Sequence, residues 1–346
     1  MTSKRSLTAA FVVLGVALVA LTALTGLAVA SSKKASLSGA GSTFVAPLVA
    51  QWTAHYGNAD VNYAAVGSGA GIAQITARTV DFGASDAPMS PDQFAACKGC
   101  AQIPWAFSAT SLPYNVSGVG YGLKLTGPIV ADMYLGKIKK WNDKRIRAIN
   151  KGVSLPNEDV VPIWRSDGSG TSYNFTDYLS KVSKQFKQQI GKGTQPAFKV
   201  GVGAKGSSGV AAKLGSTHGG ITYVDIAYAY KNHYKVAKLK NRAGKFILPS
   251  VRSLKAAAAS VKKVTRKDNA ISVVDPSRKQ PKAYPLCTFT WAIVPLQTSK
   301  AANIKQFVNW AVTKGQTYGL GPGLLFLPLP KAVVTAAKKT VARVHS

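Results

Sequence analysis

The chain has 346 residues, 46% of them hydrophobic, and carries 44 Lys and Arg against 13 Asp and Glu, a formal net charge of +31. That length and apolar content exclude a disordered polar chain and a small disulfide-held module, and leave room for two packed cores. The positive field draws anions without naming one. Nucleic acid is set aside, because the basic residues are spread along the sequence with neither zinc-finger spacing nor a basic region joined to heptads. A general bias toward basic surfaces, or attraction to an acidic cell envelope, accounts for the excess.

Residues 1–30 have the form of a signal peptide: Lys4 and Arg5 make a basic head, Ser6–Ser32 is uncharged, and Ala28-Val29-Ala30 is a small-x-small cleavage signal. Cleavage after Ala30 leaves an exported chain that begins at Ser31. The uncharged run is also long enough to span a bilayer, so retention as an anchor is the competing outcome. No cysteine lies near it to carry a lipid.

Beyond it, extended and helical patterns alternate, the order of an α/β protein. Gly39-Ala40-Gly41-Ser42-Thr43-Phe44 is a first Gly/Ser/Thr turn leading into a helix. Val61–Val66 is a predicted strand, Gly67-Ser68-Gly69-Ala70-Gly71 a second such turn, and Ile72, Ile75 and Thr79 mark the helix after it. Val80–Gly83 is extended again, and Asp86 follows that strand end, where α/β folds place ligand crevices, although taken alone it is more often a turn or capping aspartate. Cys97 and Cys100 follow a polar Ser90–Gln93 turn; in an oxidising compartment they can close a small structural disulfide loop.

Asp167-Gly168-Ser169-Gly170-Thr171 is the third turn, with Arg165 just before it. Phe175, Tyr178, Leu179 and Val182 then repeat at helical spacing. Gly201-Val202-Gly203-Ala204-Lys205-Gly206 satisfies the dinucleotide pattern only formally, with no acidic residue placed to take a ribose, and is assigned to a loop. Lysine-rich 236–245 and 261–267 are expected as exposed loops or helix faces. Cys287 lies in an apolar run as a buried bystander, and Ile304, Phe307, Val308 and Ala311 mark a last amphipathic helix.

Each of the three turns can present backbone N–H groups and hydroxyls to an anion at a helix start, though Ser and Thr there are ordinarily caps. The third adds a guanidinium, and that set suits a phosphate-sized anion. Enzymatic readings lack parts. His55, His218, His233 and His345 are scattered, no Gly-x-Ser-x-Gly elbow occurs, and Gly191-Lys192-Gly193-Thr194 lacks the hydroxyl residue directly after lysine that a Walker A loop needs.

Gly39–Phe44, Val80–Pro88 and Arg165–Ser172, supported by Leu135–Trp141 and Gly220–Val224, make the chain resemble the phosphate-binding proteins of bacterial phosphate-specific ABC importers, from Leu37 to about Val341. The resemblance implies an α/β, two-lobed periplasmic-binding-protein-like fold with mixed sheets and hinge strands. Its lobes would be 35–108 plus 284–346, and 109–283, with inorganic phosphate in the cleft between them. It also implies the ligand set: Thr43, Phe44, Ser68, Asp86, Arg165, Ser169, Gly170 and Thr171, with Asp167 pairing with the arginine. No cofactor, metal or catalysis is implied. The partner would be the membrane permease of an ABC importer, and the protein a monomer in the periplasm or at the outer face of the membrane. The alternatives are an envelope phosphate sensor or scavenger without a transporter, and a secreted phosphatase-like enzyme. Two departures stand: the second turn reads Gly-Ser-Gly-Ala-Gly where many relatives have Gly-Ser-Ser-Gly-Gly, and the lipid-attachment cysteine is missing.

Overall fold

The computed structural model describes residues 34–346, so the signal-peptide reading of residues 1–30 lies outside the described residues. Among the described residues no helix is long and apolar enough to cross a membrane.

Two mixed sheets organise the chain. The first orders its six strands as Val224–Asp225, Cys100–Ser111, Cys287–Pro295, Phe82–Ser85, Ala35–Gly41 and Ala59–Ala65. The last three are parallel, and helices Ala46–His55 and Ser68–Thr76 supply the crossovers that parallel pairing requires. Cys287–Pro295 runs antiparallel to both Phe82–Ser85 and Cys100–Ser111. Every residue of those two long strands is buried, which explains their unbroken apolar and small-polar sequences.

The second sheet orders Lys235–Val236, Pro113–Asn115, Gly220–Thr222, Val161–Arg165 and Val202–Ala204, the last three mutually parallel. Only Leu112 separates Cys100–Ser111 in the first sheet from Pro113–Asn115 in the second. Val224–Asp225 crosses the other way, leaving the second sheet after Thr222 to pair with Thr110 and Ser111. The sheets are therefore two lobes joined by extended chain, and their strand ends meet in one region.

Each lobe has its own aromatic cluster. Trp52 and Trp105 meet edge to face at 5.1 Å, with Phe82 and Phe307 against Trp105. Opposite, Phe175 stacks on Tyr223 at 4.2 Å and Tyr134 packs against both.

Three expectations are corrected. Gly201–Gly206 is not a loop: Val202–Ala204 is the edge strand of the second sheet and Gly206 opens the helix Gly206–Gly215. Segment 236–245 is only partly exposed, because Val236, Ala237 and Leu239 point inward between the lysines, and Lys238–Lys240 forms a strand of a small third sheet. Ser90–Gln93 is not a free turn but a capping box that starts the helix Pro91–Cys97.

Trp52 is fully buried and donates its indole N–H to Gly315 O at 2.8 Å. Trp52→Ala therefore removes an edge-to-face contact and orphans a carbonyl. It should lower unfolding free energy by about 3–5 kcal/mol, read from the midpoint shift in urea titration.

Candidate functional site

Four helices begin where the two sheets meet, each directly after a strand end or a short turn from one: Ala46–His55, Ser68–Thr76, Gly170–Val182 and Gly206–Gly215. Helix starts leave N–H groups without intrahelical partners and carry partial positive charge, so their convergence makes a place for an anion.

Asp86 is at the centre. It follows the strand Phe82–Ser85 and is only 1% exposed. Its Oδ1 accepts a short bond from Ser42 Oγ, and its Oδ2 lies 3.5 Å from Ser68 Oγ. Asn174 Nδ2 on the opposite lobe donates to its backbone carbonyl at 2.7 Å. Burial pushes the Asp86 carboxyl up to about 7, against the pull of the Ser42 hydroxyl, the Arg165 charge and the Ser68 and Thr171 hydroxyls.

Arg165 ends the strand Val161–Arg165 with its side chain 2% exposed. Its guanidinium makes a fork to Asp167, Nε to Oδ1 at 2.7 Å and Nη2 to Oδ2 at 2.5 Å, which fixes its plane. Burial works against the charge on Asp167, but the Arg165 fork and the Gly206 N–H, at 2.9 Å, hold its carboxyl below the usual range. The third guanidinium nitrogen, Nη1, points past the pair toward Ser207 Oγ at 3.5 Å.

The remaining expected residues gather round these two. Thr43 Oγ1 and Ser207 Oγ are 2.7 Å apart across the lobes, and the Ser207 N–H also donates to Thr43 Oγ1. Phe44 anchors its loop in the core against Phe326, while its N–H donates to Ser42 Oγ at 3.0 Å. Ser68 Oγ accepts from the Gly170 N–H at 3.1 Å. Ser169 is the helix cap, accepting from the Ser172 N–H at 3.1 Å. The Thr171 hydroxyl is buried with no hydrogen-bond partner of good geometry, an orphan that such sites do not keep without reason.

The lobes approach at backbone distance here. The Gly69 N–H donates to Gly168 O at 2.9 Å, and a Cβ on Gly170 would fall 2.6–2.7 Å from the Asp86 and Ala87 backbone. Only glycine at 170 permits that contact.

Sequence reasoning passed over five contributors. Ser207 was lost with the dismissed glycine pattern, although a helix start after Gly206 was its only available signal. Ser42 stood inside a quoted turn without a role. Tyr63 and Tyr228 donate to the carbonyls of Ser42 and Thr43 at 2.8 and 2.7 Å and brace the first turn, with no local motif to mark them. Asp225 is fully buried and caps the helix Ile226–Lys231, its carboxylate accepting from the Ala227 N–H and from Ser108 Oγ, both at 2.9 Å. Burial, with the Asp86 charge adding, pushes its carboxyl up to about 8. Among the described residues no group of three or more His, Cys, Asp or Glu side chains could hold a metal ion.

The profile of the PBP superfamily domain matches residues 28–314. Phosphate-binding protein PstS of Xylella fastidiosa strain Temecula1 is 39% identical over 310 residues, covering 88% of this chain and 84% of that protein. PstS of Methanocaldococcus jannaschii is 32% identical, covering 83% and 81%. A solved phosphate-binding protein from Stenotrophomonas maltophilia superposes with a TM-score of 0.68 at 18% identity, covering 88% and 93%, and a human phosphate-binding apolipoprotein with 0.70 at 19% identity, with the same coverage. At that identity the structural likeness establishes the fold, two α/β lobes about a cleft.

Asp86 and Asp225 both hold protons in the folded state that an unfolded carboxyl, ordinarily near 4, would release. The sign follows: the stability these two groups contribute is fully present below about pH 4 and is lost as pH rises through about 7 and 8. The slope is at most about 1.4 kcal/mol per pH unit for each group. Urea unfolding between pH 5 and pH 8 should show this decline, and Asp86→Asn should flatten it; a variant slope equal to that of wild type would rule Asp86 out as its source.

Proposed function

We propose that this chain, which belongs to the phosphate-binding protein PstS family of the PBP superfamily, captures inorganic phosphate between its lobes outside the cytoplasmic membrane and delivers it to the permease of an ABC importer. The lobes are taken as 35–108 with 284–346, and 109–283. Capture and release make and break no covalent bond, and a fixed cation, hydroxyls and helix starts suffice for them.

The observation that carries this reading is the meeting of Asp86 with the Arg165–Asp167 fork and the orphan Thr171 hydroxyl at converging helix starts. Arg165 is already neutralised by Asp167, so the site holds its anion mainly with dipoles. Thr43 and Phe44 from one side, and Ser169, Gly170 and Thr171 from the other, surround the ligand, with Ser68 between. Ser207 joins them through Thr43 and Arg165. Charge-assisted hydrogen bonds contribute about 1.5–3 kcal/mol each, so a few suffice for the roughly −8 kcal/mol of a micromolar complex after ordering costs.

Asp86 provides the selectivity. Phosphate near neutral pH keeps at least one proton, which an ionised Asp86 can accept as a hydrogen bond, whereas sulfate offers only lone pairs. Because burial puts Asp86 near 7, its own proton becomes available to a competitor as the pH falls.

Arg165→Ala should cost about 2–5 kcal/mol of phosphate binding, as for one partner of a buried charge pair. Calorimetric titration of the folded variant measures it, and unchanged affinity would remove Arg165 from the site. In competitive titrations, wild type should bind phosphate and arsenate and exclude sulfate at pH 8, with sulfate competing increasingly below pH 7. Asp86→Asn, whose amide donates at any pH, should admit sulfate at both. A wild type that takes sulfate at pH 8 defeats the assignment.

A further inference from the structure

The Cys97–Cys100 disulfide lies away from the cleft, beyond the C-terminal end of the helix Ser68–Thr76. We propose that it is a thiol–disulfide exchange site, at which the Arg78 guanidinium holds the leaving Cys97 thiolate and a small anionic thiol attacks Cys100 through an adjacent cavity.

Arg78 stands just past that helix in left-handed backbone, φ +57°, a place usually given to glycine. Its side chain folds back to donate from Nη1 to Ile75 O at 2.7 Å, and from Nη2 to Cys97 O at 2.8 Å and Lys98 O at 3.1 Å. Capping needs those three bonds alone. Yet Nη1 also lies 3.3 Å from Cys97 Sγ and 3.2 Å from Cys100 Sγ. A disulfide sulfur is a weak acceptor and a thiolate a strong one, so this cation favours the reduced pair over the oxidised pair. It also opposes the C-terminal dipole of the helix Pro91–Cys97, which would otherwise disfavour a thiolate on Cys97. Lys98, between the two cysteines, is a second residue in left-handed backbone, φ +42°.

Access is one-sided. Cys97 is 1% exposed, whereas Cys100, at 8%, lines a cavity of about 310 Å³ with Phe94, Gln102, Lys267 and Arg343. Asp268 beside it is already paired with Arg266 at 2.5 Å. The two remaining cations favour an anionic thiol of the glutathione class.

The incoming thiolate forms a bond to Cys100 Sγ as the Cys97–Cys100 bond breaks, and the electron pair goes to Cys97 Sγ beside the guanidinium. A second thiolate then attacks the external sulfur of the mixed disulfide and releases Cys100. Two external thiols are oxidised to one disulfide, and the protein pair gains two electrons and two protons.

The test uses the folded protein in glutathione redox buffers at pH 7, with free thiols counted by maleimide labelling and intact mass; fully buried Cys287 serves as the unlabelled reference. Arg78→Gln should lower the equilibrium constant for reduction about tenfold, a shift of about 30 mV for this two-electron couple, and Arg78→Lys should restore most of it. An unchanged or increased constant in Arg78→Gln would make Arg78 a cap only and overturn the proposal. Should Arg78→Gln not fold, the double variant Lys267→Glu, Arg343→Glu should slow reduction by glutathione severalfold while leaving the rate with an uncharged dithiol unchanged. Equal slowing with both reagents, or wild-type reduction only where circular dichroism reports unfolding, would also overturn it.

Discussion

The burial of Asp86 is the constraint on which the rest of the cleft depends. A carboxylate taken out of water costs several kcal/mol unless its lone pairs are met, and here they are met from both sides, by the Ser42 and Ser68 hydroxyls and by the nearby Arg165 charge. Those partners are in place only when the turns after Gly41 and Gly67 and the strand end at Arg165 lie within a few ångströms of one another. That closeness explains the glycines: Gly69 meets Gly168 through a backbone hydrogen bond, and Gly170 sits where any side chain would strike the Asp86 backbone. The lobes therefore meet backbone to backbone at these glycines, and a carboxylate lies beside that contact.

The same constraint decides how an anion is held. In the proposed site, another free cation beside Asp86 would neutralise it and remove the means of telling a protonated anion from a bare one. Among the described residues the single buried guanidinium is tied to Asp167, which in the proposed site leaves the attraction to amides, hydroxyls and helix starts. Dipoles fixed by backbone geometry do not titrate, so the carboxyls that titrate near neutral pH here are those of Asp86 and Asp225. Tyr63 and Tyr228 keep this arrangement from relaxing, since each holds a carbonyl of the Ser42-Thr43 turn from a different lobe.

Most of this was legible where the chemistry is local. The turns at 39–44, 67–71 and 167–171 declare themselves by glycine and hydroxyl residues before apolar helical spacing, and Arg165 and Asp86 sit in the same short stretches. Two of the parallel strands were legible too, displaced by only a residue or two, at Ala59–Ala65 and Phe82–Ser85. What could not be read depends on partners distant in sequence. Ser207 reaches Thr43 across 164 positions, and Tyr228 across 185. Nothing near Asp225 distinguishes it from a surface helix cap until its strand is seen joining the edge of the first sheet. The Gly201–Gly206 segment failed for another reason. Its glycines match a nucleotide pattern by spacing alone, and they serve close strand packing, Gly201 against the Pro162 backbone and Gly203 against Trp164.

The net charge fits this picture only when its distribution is followed. Residues 226–346 hold 22 Lys and Arg but two acids, Asp268 and Asp275, each paired with an arginine. Half of the chain's cations therefore lie in its last third with almost nothing to balance them. None of those cations belongs to the cleft, whose charged groups are Asp86, Arg165, Asp167 and Asp225. The long-range field and the binding chemistry are thus separate in sequence and in physics. The field acts over about a Debye length, roughly 10 Å at 0.1 M salt, and raises the rate at which anions of any kind arrive. It cannot favour phosphate over sulfate, because both respond to charge alone at that range. On the function proposed above, discrimination begins only in the cleft, where a single proton decides whether Asp86 faces a donor or a second negative oxygen. Salt should thus weaken the first effect far more than the second, because ions screen the surface and do not enter a seam closed at backbone contact.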